Sequence, residues 1–317
     1  MKRILITIIT LFILTWNVAA QIDNNEITKV SLKSSLNETF TSIRNTEITY
    51  QAEENFFKKI SDVDKNEFRK DIQYFKHVIE ARKNGTLSPE DTRLFYLKSD
   101  EDLEASIAKR EWLLDEDSKE AIYIFSTDGF RFRQDVYRPQ VTDEDHSYIF
   151  DGINGFLVKT ADNVVRSGDL FTEYWTNFNS FARFGSGLEK ALQQNTVYNT
   201  DIISNNSGHH LIVENNSMQK KGIHLDFTLL DSNPIFWEKC EHKINNKTTL
   251  RIVCEDFKEH DGIMVPGIVR RQKPSKNGFE DEYVLTLLDV KINTVEFPEN
   301  FFNPPTVENS IVHRLTR

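Results

Sequence analysis

The chain has 317 residues, 38% of them hydrophobic and 28% charged, with a formal net charge of −10 at pH 7. That length is enough to bury a core in one large domain or two modest ones. The acidic balance argues against binding a phosphate backbone, and against anionic membrane surfaces unless a local basic patch compensates. With 23 Phe against 3 Met, large aromatic side chains are available either to line an apolar cavity or to fill a core.

Residues 1–20 read as a secretory signal. Lys2 and Arg3 form the basic start, 4–16 the apolar run, and Val18-Ala19-Ala20 the small-residue cleavage site. The apolar run is shorter than the roughly 20 residues a membrane-spanning helix needs, although a retained N-terminal anchor is the competing reading. No cysteine follows Ala20 to carry a lipid anchor, and no later segment is apolar enough to span a bilayer. Cleavage after Ala20 gives a periplasmic or secreted protein.

Residues 21–46 are polar and fit either a leader or a frayed first helix. Residues 47–119 carry helical spacing. Asp64-x-x-Glu67 reads as a capping box before Phe68, Ile72, Phe75 and Ile79, which share one face, and Gly85 ends that helix. Ser88-Pro89-Glu90-Asp91 opens a second helix. Ser99 opens a third, with Leu103, Ile107, Arg110 and Leu114 on one stripe. Residues 21–119 thus read as a helical N-terminal region, either packed on the sheet-forming remainder of the chain or used to dock a protein partner.

From Glu120 the period becomes two. Ala121, Tyr123 and Phe125 alternate with Ile122 and Ile124, a strand covered on both faces. Phe130 and Phe132 alternate with Arg131 and Arg133, and 148–152 with 156–158 predicts a hairpin. Between 170 and 192 the alternation breaks, and Phe171, Trp175, Phe178 and Phe181 fall at helical spacing. Strand-like sequence returns at 196–213, interrupted at 205–208. From 222 to 305, alternating segments are joined by turns at Asn245-Asn246, Asp261-Gly262 and Asn277-Gly278, and the run ends in Phe301-Phe302-Asn303-Pro304-Pro305. Turns this short allow only an antiparallel meander.

The midpoint of Cys240 and Cys254 falls at Lys247, beside the Asn-rich turn, which sets the two cysteines nearly opposite across one hairpin. In an exported protein this predicts a disulfide worth about 3 kcal/mol in the chain-entropy model.

The sequence of strands and turns with the letters "DGIMVP", "LDVKIN" and "FFNPP" resembles the C-terminal half of the LolA-like family of periplasmic lipoprotein-sorting proteins, lipid carriers and sensors. The resemblance is clearest over 222–305, extends back to about residue 120, and does not reach the helical region. It implies an α+β fold in which an antiparallel sheet curls into an unclosed β-barrel over 120–317. The aromatic segment at 170–192 stands where the family has a helical lid. It also implies an apolar cavity for the acyl chains of a lipid or lipoprotein, with Phe130, Phe132, Phe156, Trp175, Phe178, Phe181, Phe227 and Trp237 as candidate lining residues.

No catalytic pattern accompanies this. There is no Gly-x-Ser-x-Gly, His-Glu-x-x-His or phosphate-binding glycine loop. His209 and His210 are adjacent on a strand and point to opposite faces, which disfavours a shared metal. The acidic run at 143–146 lacks the spacing of a calcium loop. The expectation is therefore a non-enzymatic carrier without metal or cofactor. The alternative is a sensor or interaction module acting through an envelope protein partner on the helices. An enzyme would require a histidine and a carboxylate brought together in a cleft.

Overall fold

The computed structural model describes residues 34, 43–55, 60–95, 98–129, 131–140, 145–151, 155–159, 164–167, 198–205, 208–215, 223–230, 236–303 and 311–314. The expected signal segment, Phe130 and the aromatic segment with Trp175, Phe178 and Phe181 lie outside the described residues. The strands are β1 (Asn45–Glu54), β2 (Lys119–Asp128), β3 (Arg131–Tyr137), β4 (His146–Phe150), β5 (Gly155–Lys159), β6 (Val164–Ser167) and β7 (Tyr198–Asn205). They continue as β8 (Gly208–Asn215), β9 (Ile223–Leu230), β10 (Phe236–Ile244), β11 (Lys247–His260), β12 (Ile263–Ser275), β13 (Gly278–Ile292) and β14 (Ile311–Arg314).

All fourteen belong to one sheet, ordered β14-β6-β5-β4-β3-β2-β1-β13-β12-β11-β10-β9-β8-β7. Its pairs are antiparallel except β14 with β6, and its two edges are not joined among the described residues. The meander from β9 to β13 and the two hairpins before it follow the sequence reading. At Asn245-Asn246 and Asp261-Gly262 both turn residues take positive φ, the conformation that matches the twist of a two-residue hairpin.

One expectation about domain order is corrected. Residues 45–54 form β1, placed between β2 and β13 at the middle of the sheet. The helices therefore do not precede the sheet; they interrupt it, as an excursion between two strands paired in register from Asn45↔Asp128 to Glu54↔Lys119.

The excursion contains α1 (Asp62–Lys83), α2 (Pro89–Leu94) and α3 (Asp100–Leu114). The N-cap of α1 is Ser61, whose hydroxyl accepts from the Asp64 amide at 3.1 Å, so the cap stands one turn earlier than the expected Asp64 box. Gly85 at φ +68° closes α1, with the Thr86 amide on the Ala81 carbonyl and the Gly85 amide on that of Arg82. Ser99 and Asp102 make a reciprocal capping box on α3. Ile72, Phe75, Val78 and Ile79 of α1 pack with Phe95, Leu103 and Ile107 in a cluster separate from the sheet's core. Arg110 lies over the Phe75 ring at 4.9 Å.

The two faces of the sheet differ. On β1, Thr46, Ile48, Tyr50, Ala52 and Glu54 are buried and alternate with half-exposed or exposed residues, and the same face continues into a single apolar cluster from Phe150 to Ile202. This face is the concave one. The rings of Tyr123 and Tyr283, on strands that flank β1, meet at 5.5 Å, where a flat sheet would hold the two strands about 9.5 Å apart. The Tyr50 hydroxyl reaches past β13 to donate to the Pro266 carbonyl at 3.0 Å.

Bulges keep that face apolar along long strands. Between β9 and β10 the register skips Glu238, so Trp237 and Cys240, an odd number of residues apart, share the inner face. Between β1 and β13 it skips Leu288, which is left 55% exposed while Leu287 and Val290 pack inward. On the outer face, Arg131 and Arg133 hold Phe301 and Phe302: Arg131 lies over the Phe302 ring, and Arg133 over Phe301 while donating to the Phe301 carbonyl at 2.9 Å.

Candidate functional site

A single row of inner-face residues can be followed by register through Ile202, Leu211, Phe227, Cys240, Ile252, Arg271, Tyr283 and Glu54, on β7 through β13 and then β1. Its first five members are apolar and essentially without solvent contact. Leu225, Leu229, Val213, Cys254, Val269 and Leu285 widen it on either side within the same cluster. This is a broad apolar wall that turns polar at one end.

The polar end is densely connected. Arg138 donates from Nε to Glu54 Oε2 at 2.8 Å and from Nη2 to Oε1 at 3.0 Å, in the two-pronged geometry a guanidinium fork favours. The Tyr123 hydroxyl also donates to Glu54 Oε1. Arg138 Nη1 lies 3.2 Å from His146 Nδ1. Since arginine can only donate, Nδ1 accepts, which assigns the ring's proton to Nε2. Burial, with the Glu54 charge second, pushes the Tyr123 phenol well above its usual pKa; burial also raises Tyr283 and Tyr148 against the opposing pull of arginines. All three are therefore neutral hydroxyls at physiological pH. Arg271 itself lies 3.0 Å from Glu282 Oε2. Glu282 is the residue skipped between Arg271↔Tyr283 and Gln272↔Asp281, and such a bulge re-aims a side chain.

Of the residues expected to line a cavity, Phe132, Phe227 and Trp237 are on this inner face and buried, with the Phe227 and Trp237 rings 5.5 Å apart. Phe156 is not with them. It packs with Ile149 and Val158 in a small cluster of its own, because the β4–β5 register sets Phe156 opposite Ile149 and leaves Leu157 opposite Tyr148.

The disulfide expected between Cys240 and Cys254 is not formed: both are free and buried. The turn places Cys240 across from Ile252, two residues short of Cys254. Diagonal neighbours of this kind lie at roughly 7–8 Å, beyond the usual span of a bridge. Burial pushes both thiols well above their usual pKa, so neither is an activated nucleophile.

The residues that sequence reasoning passed over are the polar ones: Glu54, Tyr123, Arg138, His146, Tyr148, Arg271, Glu282 and Tyr283. A usable signal was the alternation of Ile48, Tyr50 and Ala52 with Glu47, Thr49 and Gln51, which marks a strand inside a stretch assigned to helix.

The opposite face carries a ladder of charges. His210 Nδ1 is 3.0 Å from Asp226 Oδ1, Lys243 donates to Asp226 Oδ2 at 2.5 Å and approaches Glu241 at 3.3 Å, and Arg251 donates to Glu241 at 2.6 and 2.8 Å. A histidine does meet a carboxylate here, but Asp226 is already bridged to a lysine and faces away from the apolar wall. Among the described residues no group of three or more His, Cys, Asp or Glu side chains could hold a metal ion, and no helix is long and apolar enough to cross a membrane.

The fold is similar to that of several solved structures. A LolA superfamily protein from Nitrosomonas europaea is 10% identical, with a TM-score of 0.48 covering 87% of this chain and 97% of that one. An outer membrane lipoprotein-sorting protein domain from Vibrio parahaemolyticus is 9% identical, with a TM-score of 0.48 covering 87% and 96%. A DUF1329 family protein from Desulfovibrio piger is 7% identical, with a TM-score of 0.47 covering 86% and 94%. No known family profile matches the sequence, and no curated protein matches it.

Proposed function

We propose that this chain is an exported, non-enzymatic binding protein that shelters the acyl chains of a lipid or lipoprotein against the concave face of its sheet. The observation that carries this reading is the continuous apolar wall from Ile202 to Ile252, placed on the face toward which the sheet curls. Each methylene moved from water onto such a surface gains about 0.8 kcal/mol, so a long chain binds without polar recognition. The aromatic segment at 170–192 would act as the lid and Phe132, Phe227 and Trp237 as lining. Glu54, Arg138 and Tyr123 are paired with one another, and the reading assigns them to support of the sheet, not to turnover.

A second reading, docking of an envelope protein, is favoured by the excursion's self-contained helical core, which is inserted between the paired strands β1 and β2. Protein purified without detergent should yield lipid on solvent extraction and mass spectrometry, and after delipidation should bind hexadecanol saturably, measured by displacement of a polarity-sensitive dye. An extract without lipid together with no hexadecanol binding would overturn the carrier, whereas a protein partner captured equally well by delipidated protein would favour docking.

A further inference from the structure

We propose that the groove between α1 and α3 is the seat of a second copy of this chain, related to the first by a twofold axis running along the groove. The inference concerns the helical excursion alone and does not depend on the carrier reading.

The two helices lie antiparallel. Lys76 of α1 meets Glu111 near the end of α3 at 2.7 Å, and Arg82 near the end of α1 meets Asp100 at the start of α3, also at 2.7 Å. The groove between them has a volume of about 420 Å³. Its floor is Ile79 and Ile107, both largely buried already, so charge and shape decide what fits more than apolar area does. Lys76, Glu80 and Lys83 stand at i, i+4 and i+7 on one rim, and Glu104, Ala108 and Glu111 repeat that spacing on the other. Glu80, Lys83 and Glu104 are exposed and enter no ion pair among the described residues. A closed dimer buries the same patch on both copies, so the patch must complement itself. Turned about an axis along the groove, α1 of one copy lies over α3 of the other in the same order. Lys83 then meets the partner's Glu104, Lys76 joins the partner's Glu111, and Glu80 stands over the partner's Ala108, the small side chain that leaves it room. A twofold axis across the groove is excluded by charge, because it sets Lys83 on Lys76 and Glu104 on Glu111. A foreign helix of uniform charge would be opposed by one rim. The contact spans two turns of each helix, roughly 10 Å, which is less than a standard interface, so the dimer is weak and forms with rising concentration.

The test is sedimentation velocity of the purified protein from about 5 to about 500 μM, the range in which a small interface associates. Wild type should shift from monomer to dimer across that range. Lys83→Glu and Glu104→Lys each set like charges together twice per dimer, and each should weaken association about tenfold. Mixed with one another, the two variants restore opposite charges in both contacts, and the mixture should dimerise as wild type does. That rescue is a readout a folding defect in either variant would not give. Ala108→Glu, which places a carboxylate beneath Glu80, should also weaken association. A wild type that stays monomeric throughout, which needs no variant to fold, would overturn the second copy and leave the groove to the envelope protein of the docking reading. Dimerisation that the variants leave unchanged, or that mixing fails to restore, would put the contact elsewhere and overturn the proposal equally.

Discussion

The helical excursion and the sheet solve the same burial problem over different distances. In the excursion, Ile72, Phe75 and Val78 find Phe95, Leu103 and Ile107 within a few turns of chain. In the sheet, β1 must find β13, so the Arg44 and Asn45 amides are held by the side chain of Asn293, 249 and 248 residues away. Loop closure of that length is slow and entropically unfavourable until the last strand docks. A local core can form and melt by itself, while a core closed by its most distant partners fails as a unit. The excursion is thus suited to independent motion, and the sheet to holding a wall in place.

The largest expected effect tests that contrast directly. Trp237 has no solvent contact and packs on Phe227, so Trp237→Ala should cost about 3–5 kcal/mol and lower the urea midpoint of the whole sheet. Leu103, equally buried but in the helical cluster, should cost about 2–5 kcal/mol as Leu103→Ala, with hydrogen exchange accelerating in 62–114 and unchanged in β9–β13. If exchange accelerates throughout, the two cores are one cooperative unit and the contrast is broken.

Glu54 is where the two regions join. It ends β1 as the chain leaves for the helices, and Arg138 and Tyr123 hold it there. Glu54→Gln strands a buried guanidinium, which typically costs about 3–5 kcal/mol. The loss should appear in the sheet's urea transition, while the helical cluster keeps its slow exchange.

A smaller loss is expected at Gly267. A Cβ there would stand 2.5 Å from the Asp256 carbonyl oxygen and 2.8 Å from its carboxylate, because Asp256 adopts φ +52° in the facing strand. The backbone atom cannot swing aside, so Gly267→Ala should cost about 1–3 kcal/mol as overpacking. A midpoint equal to wild type would show that the Asp256 kink is adjustable.

How much of this was legible follows the same division. The helix caps at Ser88 and Ser99 and the stop at Gly85 are written in adjacent letters, and so are the hairpin turns of β9–β13. What adjacent letters do not carry is pairing at long range. The ten residues of β1 have a strand's alternation, but they are followed at once by helical sequence, and nothing local announces that the strand resumes at Lys119. Bulges are equally silent. The residue skipped at Thr249 between β10 and β11 is announced by no letter, and the cysteines end up diagonal because the turn closes at Asn245-Asn246, ahead of their midpoint at Lys247. The apolar members of the candidate site, Phe132, Phe227 and Trp237, were accessible because alternation reports a buried face. Arg138 and Arg271 were not, since a charged residue on that face becomes interpretable only once Glu54 and Glu282 are seen beside it.

The smallest effect concerns the outer charge ladder, and its sign can be worked out. Burial alone would raise the Asp226 carboxyl, but hydrogen bonds from Lys243 and then His210 outweigh it and hold the pKa below the usual value. A carboxylate whose folded pKa is depressed stabilises fully above the unfolded value of about 3.9 and loses that contribution as pH falls through the folded one. Wild type should therefore exceed Asp226→Asn in stability by a constant margin from about pH 7 to about pH 5, and the margin should shrink below about pH 4. Capping carboxylates of the excursion respond in the same direction: Asp102 is held down by the Ser99 amide and hydroxyl, and Asp91 by Ser88 and Tyr74. Those groups are exposed, and their loss should fray α2 and α3 without moving the sheet's transition. Urea midpoints read by tryptophan fluorescence in a Trp112→Phe background, which removes the tryptophan of α3, and by helical circular dichroism would separate the two. A margin for Asp226→Asn that stays constant to the lowest pH would show that Lys243 and His210 do not select the charged carboxylate, and that strand pairing alone holds the ladder together.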